Sequence, residues 1–355
     1  MERFINTAGK QQLIKCVVWD LDNTLWRGTL LEDERVELHA AAVDVIKALD
    51  ERGILQSIAS KNDHETAMQK LHELGLQQYF LYPQINWNSK ALSIRNVAQA
   101  INIGHDAIAF IDDQPFERAE VEYSLPEVRC IDPTDLHTIL DLPEFKPRFI
   151  TEDSRLRRSM YISDVERRLA EDSFSGTKEE FLATLEMKFT IADAREEDFR
   201  RAEELTIRTH QLNSTGCTYS YDELKQLLAA GRHLVLIASL ADKFGTYGKV
   251  GLAVVERDPE TWNLKLLLMS CRVISRGVGT IMLNHITRLA KGAGVCLRAE
   301  YVPNGRNRMM YVAYKFAGFR ELERRGDLVL FEHDLTRVQN PPDYVEIEVR
   351  QESKR

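Results

Sequence analysis

The chain has 355 residues, 44% of them apolar and 29% charged, with a net charge of −8. That length exceeds what one ordinary hydrophobic core supports, so two domains are expected, and the acidic balance excludes a general attraction for nucleic acid. No stretch approaches the roughly 18 apolar residues of a membrane span, and Met1-Glu2-Arg3-Phe4 opens no signal peptide, so a cytoplasmic protein with no membrane partner is expected.

Val17 to Trp19 reads as a buried strand that ends abruptly in Asp20-Leu21-Asp22-Asn23-Thr24. Ligands of open α/β sheets bind at the carboxyl ends of the strands, where two aspartates one residue apart can share a hard cation. Taken alone, the same run also suits a turn with a helix cap. Ala40 to Arg52 reads as a helix stopped by Gly53, and Ile54 to Ala59 as a second strand leading into Ser60-Lys61-Asn62-Asp63. Asp63 or Asn62 can cap a helix that runs to Leu74 and closes at Gly75. A further helix begins near Ser89-Lys90. Ala107 to Ile111 is another apolar run, ending in Asp112-Asp113-Gln114-Pro115, and Val128 to Ile131 is a weaker strand. Strands alternating with helices predict a parallel α/β sheet whose polar strand ends gather at one edge.

Asp20-x-Asp22-Asn23-Thr24, Ser60, Lys90 and Asp112-Asp113 resemble, in order, the four motifs of the haloacid-dehalogenase (HAD) superfamily of aspartate-nucleophile phosphotransferases. The resemblance implies that Asp20 attacks phosphorus to form an aspartyl-phosphate. Asp22 then acts as general acid on the leaving oxygen and as base toward water. Asp112, Asp20 and the backbone carbonyl of Asp22 complete an oxygen-rich site for Mg2+. Ser60 and Lys90 bind the phosphoryl oxygens. Asp113 orients a metal-bound water or a backbone amide, while Asn23, Thr24 and Asn62 support the loops. Only 40 residues separate Asp20 from Ser60, and 30 separate Ser60 from Lys90, so the expected domain is capless.

Pro143 and Pro147 mark a boundary near residues 140–150. Ser154 to Ala170 then reads as a helix bearing Arg155, Arg157, Arg158, Arg167 and Arg168, either a solvated face or a docking patch for an acidic partner. Beyond Phe189 come strands at His233 to Ser239, Val250 to Val255, Leu264 to Cys271, Val295 to Tyr301 and Leu328 to Glu332, with a helix from Gly279 to Lys291. This order resembles the GCN5-related N-acetyltransferase (GNAT) fold, as do Arg276-Gly277-Val278-Gly279-Thr280 and the run from Tyr311 to Phe319. Ile281 stands where that motif carries a small residue, which weighs against acetyl-coenzyme A. The expected division is 1–147 HAD-like, 148–187 linker helix, 188–340 GNAT-like and 341–355 charged tail, a capless Rossmannoid parallel sheet followed by a second α/β domain.

The five cysteines are scattered without a C-x-x-C pair, which argues against a disulfide framework or structural zinc. Cys271 stands out because it ends an apolar strand in Ser270-Cys271-Arg272-Val273, beside Arg272, Arg276 and the start of a helix. Such surroundings favour a nucleophilic thiolate, whereas Cys16, Cys130 and Cys296 read as inert. In Arg208-Thr209-His210-Gln211-Leu212-Asn213-Ser214-Thr215-Gly216, His210 is a candidate base for that thiol or a buried hydrogen-bonding residue.

Together, the capless HAD pattern, the Ser-Cys-Arg-Val run and the His-Gln-Leu-Asn-Ser-Thr-Gly run resemble the FkbH-like glyceryltransferase/phosphatase family, from about Lys15 to Glu332. The resemblance implies that D-1,3-bisphosphoglycerate becomes a D-glyceryl thioester on the phosphopantetheine thiol of an acyl carrier protein, for polyketide biosynthesis. The alternative is a Mg2+-dependent phosphatase whose second domain only binds a partner.

Overall fold

The computed structural model describes residues 13–33, 35–336 and 338–350, and the chain divides into two units after Ile162. The opening Met1 to Phe4 and the last five residues of the expected tail lie outside the described residues. Both units are mixed α/β, one built on a parallel sheet and the other on a separate mixed sheet. Among the described residues no helix is long and apolar enough to cross a membrane.

Unit 1 contains strands β1 (Cys16–Trp19), β2 (Trp26–Arg27), β3 (Glu37–Leu38), β4 (Leu55–Ser60), β5 (Gln84–Ile85), β6 (Ile108–Ile111) and β7 (Arg129–Ile131). Its helices are α1 (Ala40–Glu51), α2 (His64–Glu73), α3 (Lys90–Ile101), α4 (Pro115–Ser124), α5 (Leu136–Ile139) and α6 (Glu152–Arg155). The sheet runs β5-β4-β1-β6-β7 with every pair parallel. As the central strand, β1 is buried on both faces, which is why Cys-Val-Val-Trp reads as an unbroken apolar run. Its period of two divides the core, with Val17 and Trp19 packing in one layer and Cys16 and Val18 in the other.

Asp63 caps α2 by accepting from Thr66 N at 2.9 Å, and Ser89 caps α3 by accepting from Leu92 N at 3.3 Å. These caps start each helix just after a strand leaves the sheet, so the residues at the strand ends are fixed in place. Gly53 has φ +68°, and a Cβ there would come within 2.7 Å of Ser154 O, so both its backbone conformation and its closeness to α6 require glycine. Between Asp20 and Ser60 the described residues hold only the β2–β3 hairpin and α1, with no inserted domain.

Helix α7 (Arg157–Asp172) corrects the reading of the arginine-rich segment. In unit 1, Arg157 is buried and donates to Gly53 O at 2.7 Å, and Arg158 donates to Asp50 at 2.8 Å. In unit 2, Arg167 is fully buried, donates to both carboxylate oxygens of Asp242 and lies 3.9 Å over the Tyr247 ring. These three side chains tie the protein internally and are therefore neither a solvated face nor a docking patch. Nor is the stretch 148–187 a linker, since Phe181 and Leu182 of α8 (Lys178–Thr184), with Leu185 just beyond it, are buried in the core of unit 2.

Unit 2 continues with β8 (Met187–Asp193), α9 (Phe199–Arg208), α10 (Tyr221–Ala229), β9 (His233–Asp242), β10 (Gly245–Arg257) and β11 (Thr261–Met269). It ends with α11 (Val278–Ala293), β12 (Cys296–Tyr301), α12 (Arg308–Phe316), β13 (Phe319–Arg325), β14 (Leu328–His333) and β15 (Val345–Arg350). The sheet runs β13-β14-β12-β11-β10-β9-β8-β15, with β11–β12 and β8–β15 parallel and the other pairs antiparallel. The expected tail is thus partly an edge strand. Val345 and Ile347 alternate with glutamates in Val-Glu-Ile-Glu-Val-Arg, so one face packs on the core and the other meets water.

Strands β11 and β12 part after the pair Leu264 and Ala299. The chain itself fills the opening. Ser214 N donates to Leu267 O at 3.0 Å, Val302 N donates to Ser214 O at 3.0 Å, and Met269 N donates to Leu212 O at 2.9 Å. The polar run 209–216 therefore acts as a wedge that satisfies the backbone groups of two diverging strands.

Candidate functional site

In unit 1, β1 delivers Asp20 and β6 delivers Asp112 to the same edge, because the two strands are parallel neighbours in register from Cys16 with Ile108 to Trp19 with Ile111. Asp20, Asp112 and Asp113 each present a ligand oxygen, and these atoms lie within 4.8 Å of one another. Lys90, the first residue of α3, is only 4% exposed. Its Nζ is paired with Asp20 Oδ1, donates to Ala59 O at 2.9 Å, and lies 3.1 Å from Asp112 Oδ2. This last approach is an ionic contact without hydrogen-bond geometry, so the buried Asp112 Oδ2 has no hydrogen-bond donor. Three hard oxygen donors with one unsatisfied atom among them suit a divalent cation such as Mg2+.

The electrostatics follow from crowding. Burial pushes the Asp112 carboxyl up to about 6, against the pull of Lys90 and with the push of Asp20. Burial followed by Asp20 raises Asp113 in the same way. For Lys90, burial alone would lower the ammonium, but Asp20 and Asp112 outweigh it and the net shift is upward, so the charge stays. A fixed cation between two carboxylates is suited to meeting phosphoryl oxygens.

Asp22 lies outside the carboxylate group. Its Oδ1 accepts from Trp26 Nε1 at 2.8 Å and Leu30 N at 3.1 Å, and its Oδ2 accepts from Asn62 Nδ2 at 3.0 Å. Burial raises its carboxyl, while the Trp26 and Leu30 donors lower it. The three donors fix the orientation of a carboxyl that burial has raised, as a group that exchanges protons with a bound substrate requires. The sequence reading left out the Trp26 indole. The signal was there in the four-residue spacing of Asp22 and Trp26 across the tight turn that follows β1. Thr24 links the loops, accepting from Asp113 N at 3.0 Å and donating to Asp113 Oδ1 at 3.4 Å. Asp113, ranked below Asp112 from sequence, stands with the cation-suited oxygens. Ser60 is buried at the end of β4, and the adjacent Lys61, 37% exposed, pairs with Glu117 at 2.6 Å.

In unit 2, Cys271 is half-buried and is the first residue of a short 3-10 turn, Cys271–Arg276, that follows β11. Five residues separate it from Gly277, whose φ of +73° turns the chain into α11. Arg276 is buried with Nη1 3.4 Å from Glu171. His210 lies two residues before Leu212, and Cys271 two after Met269, so the hydrogen bond from Met269 N to Leu212 O makes the two segments neighbours. Of the other cysteines, Cys16 is fully buried and its thiol is pushed far up, and Cys130 is pushed up to about 12, in both cases by burial. Cys296 is raised by burial and then by its contact with Glu332. All three suit inert roles. A cleft of about 520 Å³ opens at the start of α11, lined by Thr177, Lys178, Ile274, Ser275, Gly277 and Tyr344. Ile281 is buried in the core of unit 2 and is not among the residues lining that cleft.

No protein-family model matches the chain, and no curated protein matches it. Similar solved structures fall into two groups. One is the N-terminal part of a Bacteroides fragilis protein containing a phosphatase domain, complexed with Mg. It is 31% identical, with a TM-score of 0.34, over 38% of this chain and 41% of that one. The chain thus spans less than half the length of that phosphatase structure. The second group includes the ribosomal-protein-S18-alanine N-acetyltransferase of Escherichia coli, 17% identical over 41% of this chain and 92% of that one, with a TM-score of 0.34. It also includes the PaiA N-acetyltransferase of Thermoplasma acidophilum in complex with coenzyme A, 15% identical over 41% of this chain and 98% of that one, with a TM-score of 0.33.

Proposed function

We propose that the chain is a glyceryltransferase/phosphatase of the FkbH-like kind, converting D-1,3-bisphosphoglycerate to a D-glyceryl thioester on an acyl carrier protein in polyketide biosynthesis. The observation that carries the reading is the group Asp20, Asp112 and Asp113 with Lys90 at the edge of a parallel sheet, in a chain that also presents half-buried Cys271 at a strand end.

The substrate carries an acyl phosphate at C1 and a phosphate ester at C3, so two different displacements are required. In the first, the Cys271 thiolate attacks the acyl carbon, the bond from C1 to the phosphate oxygen breaks, and inorganic phosphate leaves. In the second, a carboxylate oxygen of Asp20 attacks the C3 phosphorus while Asp22 protonates the departing sugar-acid oxygen. Asp22 then takes a proton from the water that hydrolyses the aspartyl-phosphate, while Lys90 and Ser60 hold the phosphoryl oxygens. Asp20, Asp112 and the Asp22 carbonyl, with Asp113 beside them, would hold Mg2+, which supplies charge neutralisation at the phosphoryl group. His210 is the candidate base that takes the Cys271 proton before the attack, and the carrier thiol finally exchanges with the Cys271 thioester, giving up its proton as the Cys271 thiol re-forms.

The test is phosphate release from 1,3-bisphosphoglycerate in the presence of Mg2+ and carrier protein. Wild type should release both phosphates, and Asp20→Asn should retain the C3 phosphate on the product. Equal release of both phosphates by Asp20→Asn would overturn the assignment.

A further inference from the structure

Helix α12 has two contrasting faces. Met310 and Tyr314 point inward, where Tyr314 packs 5.4 Å from the Phe319 ring and 5.5 Å from the Phe331 ring. Met309, Val312 and Phe316 point outward at helical spacing and are 44%, 40% and 74% exposed. The core does not need this stripe. Three large apolar residues aligned on one helix face are the arrangement that receives a partner helix.

The charge of the run that carries the stripe is one-sided in sequence, with Glu321 facing it from β13, bonded to Tyr311 and drawn on by Lys315. From Val302 to Arg320 the chain contains no acidic residue, although the protein carries a net charge of −8. Arg306, Arg308, Lys315 and Arg320 all lie in this run and are all exposed. Arg320 approaches Asp334 only at 4.0 Å. The nearest acid beyond the run, Glu321, is already hydrogen-bonded to Tyr311 and to Arg324. An apolar stripe bordered by cations selects an acidic partner, since like charge at the rim of an interface is penalised and opposite charge speeds encounter.

The face is also continuous with the segment beside Cys271. Asn304 Nδ2 donates to His210 O at 3.2 Å, Asn307 Nδ2 donates to Asn213 O at 2.9 Å, and Gln211 Nε2 reaches Met309 Sδ at 4.0 Å. Met269, two residues before Cys271, is bonded to Leu212 in turn.

We infer that Met309, Val312 and Phe316, with Arg306, Arg308 and Lys315, form the docking surface for an acidic carrier protein that presents an amphipathic helix. The inference rests on the reading that Cys271 passes its acyl group to such a carrier. Its small apolar area fits a transient encounter at the low end of interface sizes.

The test uses the full chain and a fluorescently labelled holo acyl carrier protein. Binding is read by anisotropy, and glyceryl transfer is read with the carrier protein and, separately, with free pantetheine as acceptor. Arg308→Glu/Lys315→Glu should weaken carrier binding at least tenfold and raise KM for the carrier by the same factor, with kcat within twofold. Phe316→Ser should do the same in part, and the pantetheine constants should not move with either variant. Unchanged carrier binding in both variants overturns the inference, as does an equal loss toward carrier and pantetheine, which would place the fault at Cys271. If sedimentation finds a wild-type dimer that Phe316→Ser dissociates while carrier binding is unchanged, the face joins two copies and the inference fails. If Cys271 is never acylated but the carrier binds wild type and not the charge-reversed variant, docking stands and the glyceryl-transfer reading falls.

Discussion

Replacing Lys90 with methionine isolates the electrostatic design of the carboxylate site in unit 1. The side chain is 4% exposed, paired with Asp20 and 3.1 Å from Asp112. Methionine keeps most of the volume and removes the charge, leaving three carboxylates whose oxygens lie within 4.8 Å of one another without a cation. Removing one partner of a buried ionic group costs about 3–5 kcal/mol, a large share of the roughly 5–15 kcal/mol that holds a domain folded. The sign with pH follows from Asp112, whose carboxyl is raised to about 6, chiefly by burial. A raised carboxyl costs stability above its folded value, and that cost disappears as pH falls toward the ordinary carboxylate range. The Lys90→Met penalty should therefore be largest at pH 8 and shrink through pH 6 toward pH 5. A divalent cation at a hundred times the wild-type Kd should return about 2.7 kcal/mol to wild type, and at that same concentration more to the variant, whose uncompensated carboxylates bind it more tightly. Urea unfolding followed by tryptophan emission suits the assay, because Trp19 and Trp26 are both fully buried in this unit. A penalty equal at pH 5 and pH 8, and unchanged by Mg2+, would refute the reasoning and reduce Lys90 to a packing residue.

Asn62→Ala removes the amide that donates to Asp22 Oδ2. It should lower kcat for phosphate release about tenfold or more, roughly 1.4 kcal/mol or more of barrier, with KM within threefold in steady-state assays. In unit 2, Asp242→Asn strands the fully buried Arg167 and should cost about 3–5 kcal/mol in chemical denaturation. His285 lies in α11 with its imidazole lowered, chiefly by burial. A histidine whose folded value lies below its unfolded value contributes stability that is lost as pH falls below the ordinary imidazole range. His285→Gln should therefore flatten the decline of unit 2 stability on acidification from pH 7, read by thermal melts across pH.

The central strands of unit 1 were legible because β1 and β6 are short apolar runs with polar exits, so the residues that gather at the edge are adjacent in sequence to those that build the core, whereas the two-residue edge strand β5, Gln84–Ile85, carries no such pattern and was not read. The helix starts were equally local, since Asp63 and Ser89 cap through side chains three residues from their targets. Contacts between distant residues were not legible. Asn62 and Asp22 are 40 residues apart, and only the parallel pairing of β1 with β4 brings their loops together. The arginines of α7 read as a charged surface because a one-dimensional pattern cannot show that Gly53, Asp50 and Asp242 await them. The run from Thr209 to Gly216 entered the sequence reading only through His210 and the family resemblance. Its role as a wedge depends on where β11 and β12 diverge, which no local spacing encodes. The strand at Val345–Arg350 was read as part of a charged tail, because the density of charge around it masks its alternation.

The most direct measurement of the central claim is intact-protein mass spectrometry after incubation with D-1,3-bisphosphoglycerate, Mg2+ and holo acyl carrier protein. Wild type should transfer a dephosphorylated glyceryl group to the carrier. Asp20→Asn should hold or transfer only the phosphorylated acyl group, and Cys271→Ala should carry no acyl adduct and leave the carrier unloaded. A substrate-derived acyl adduct persisting on Cys271→Ala, or a carrier loaded equally well by that variant, would contradict the account.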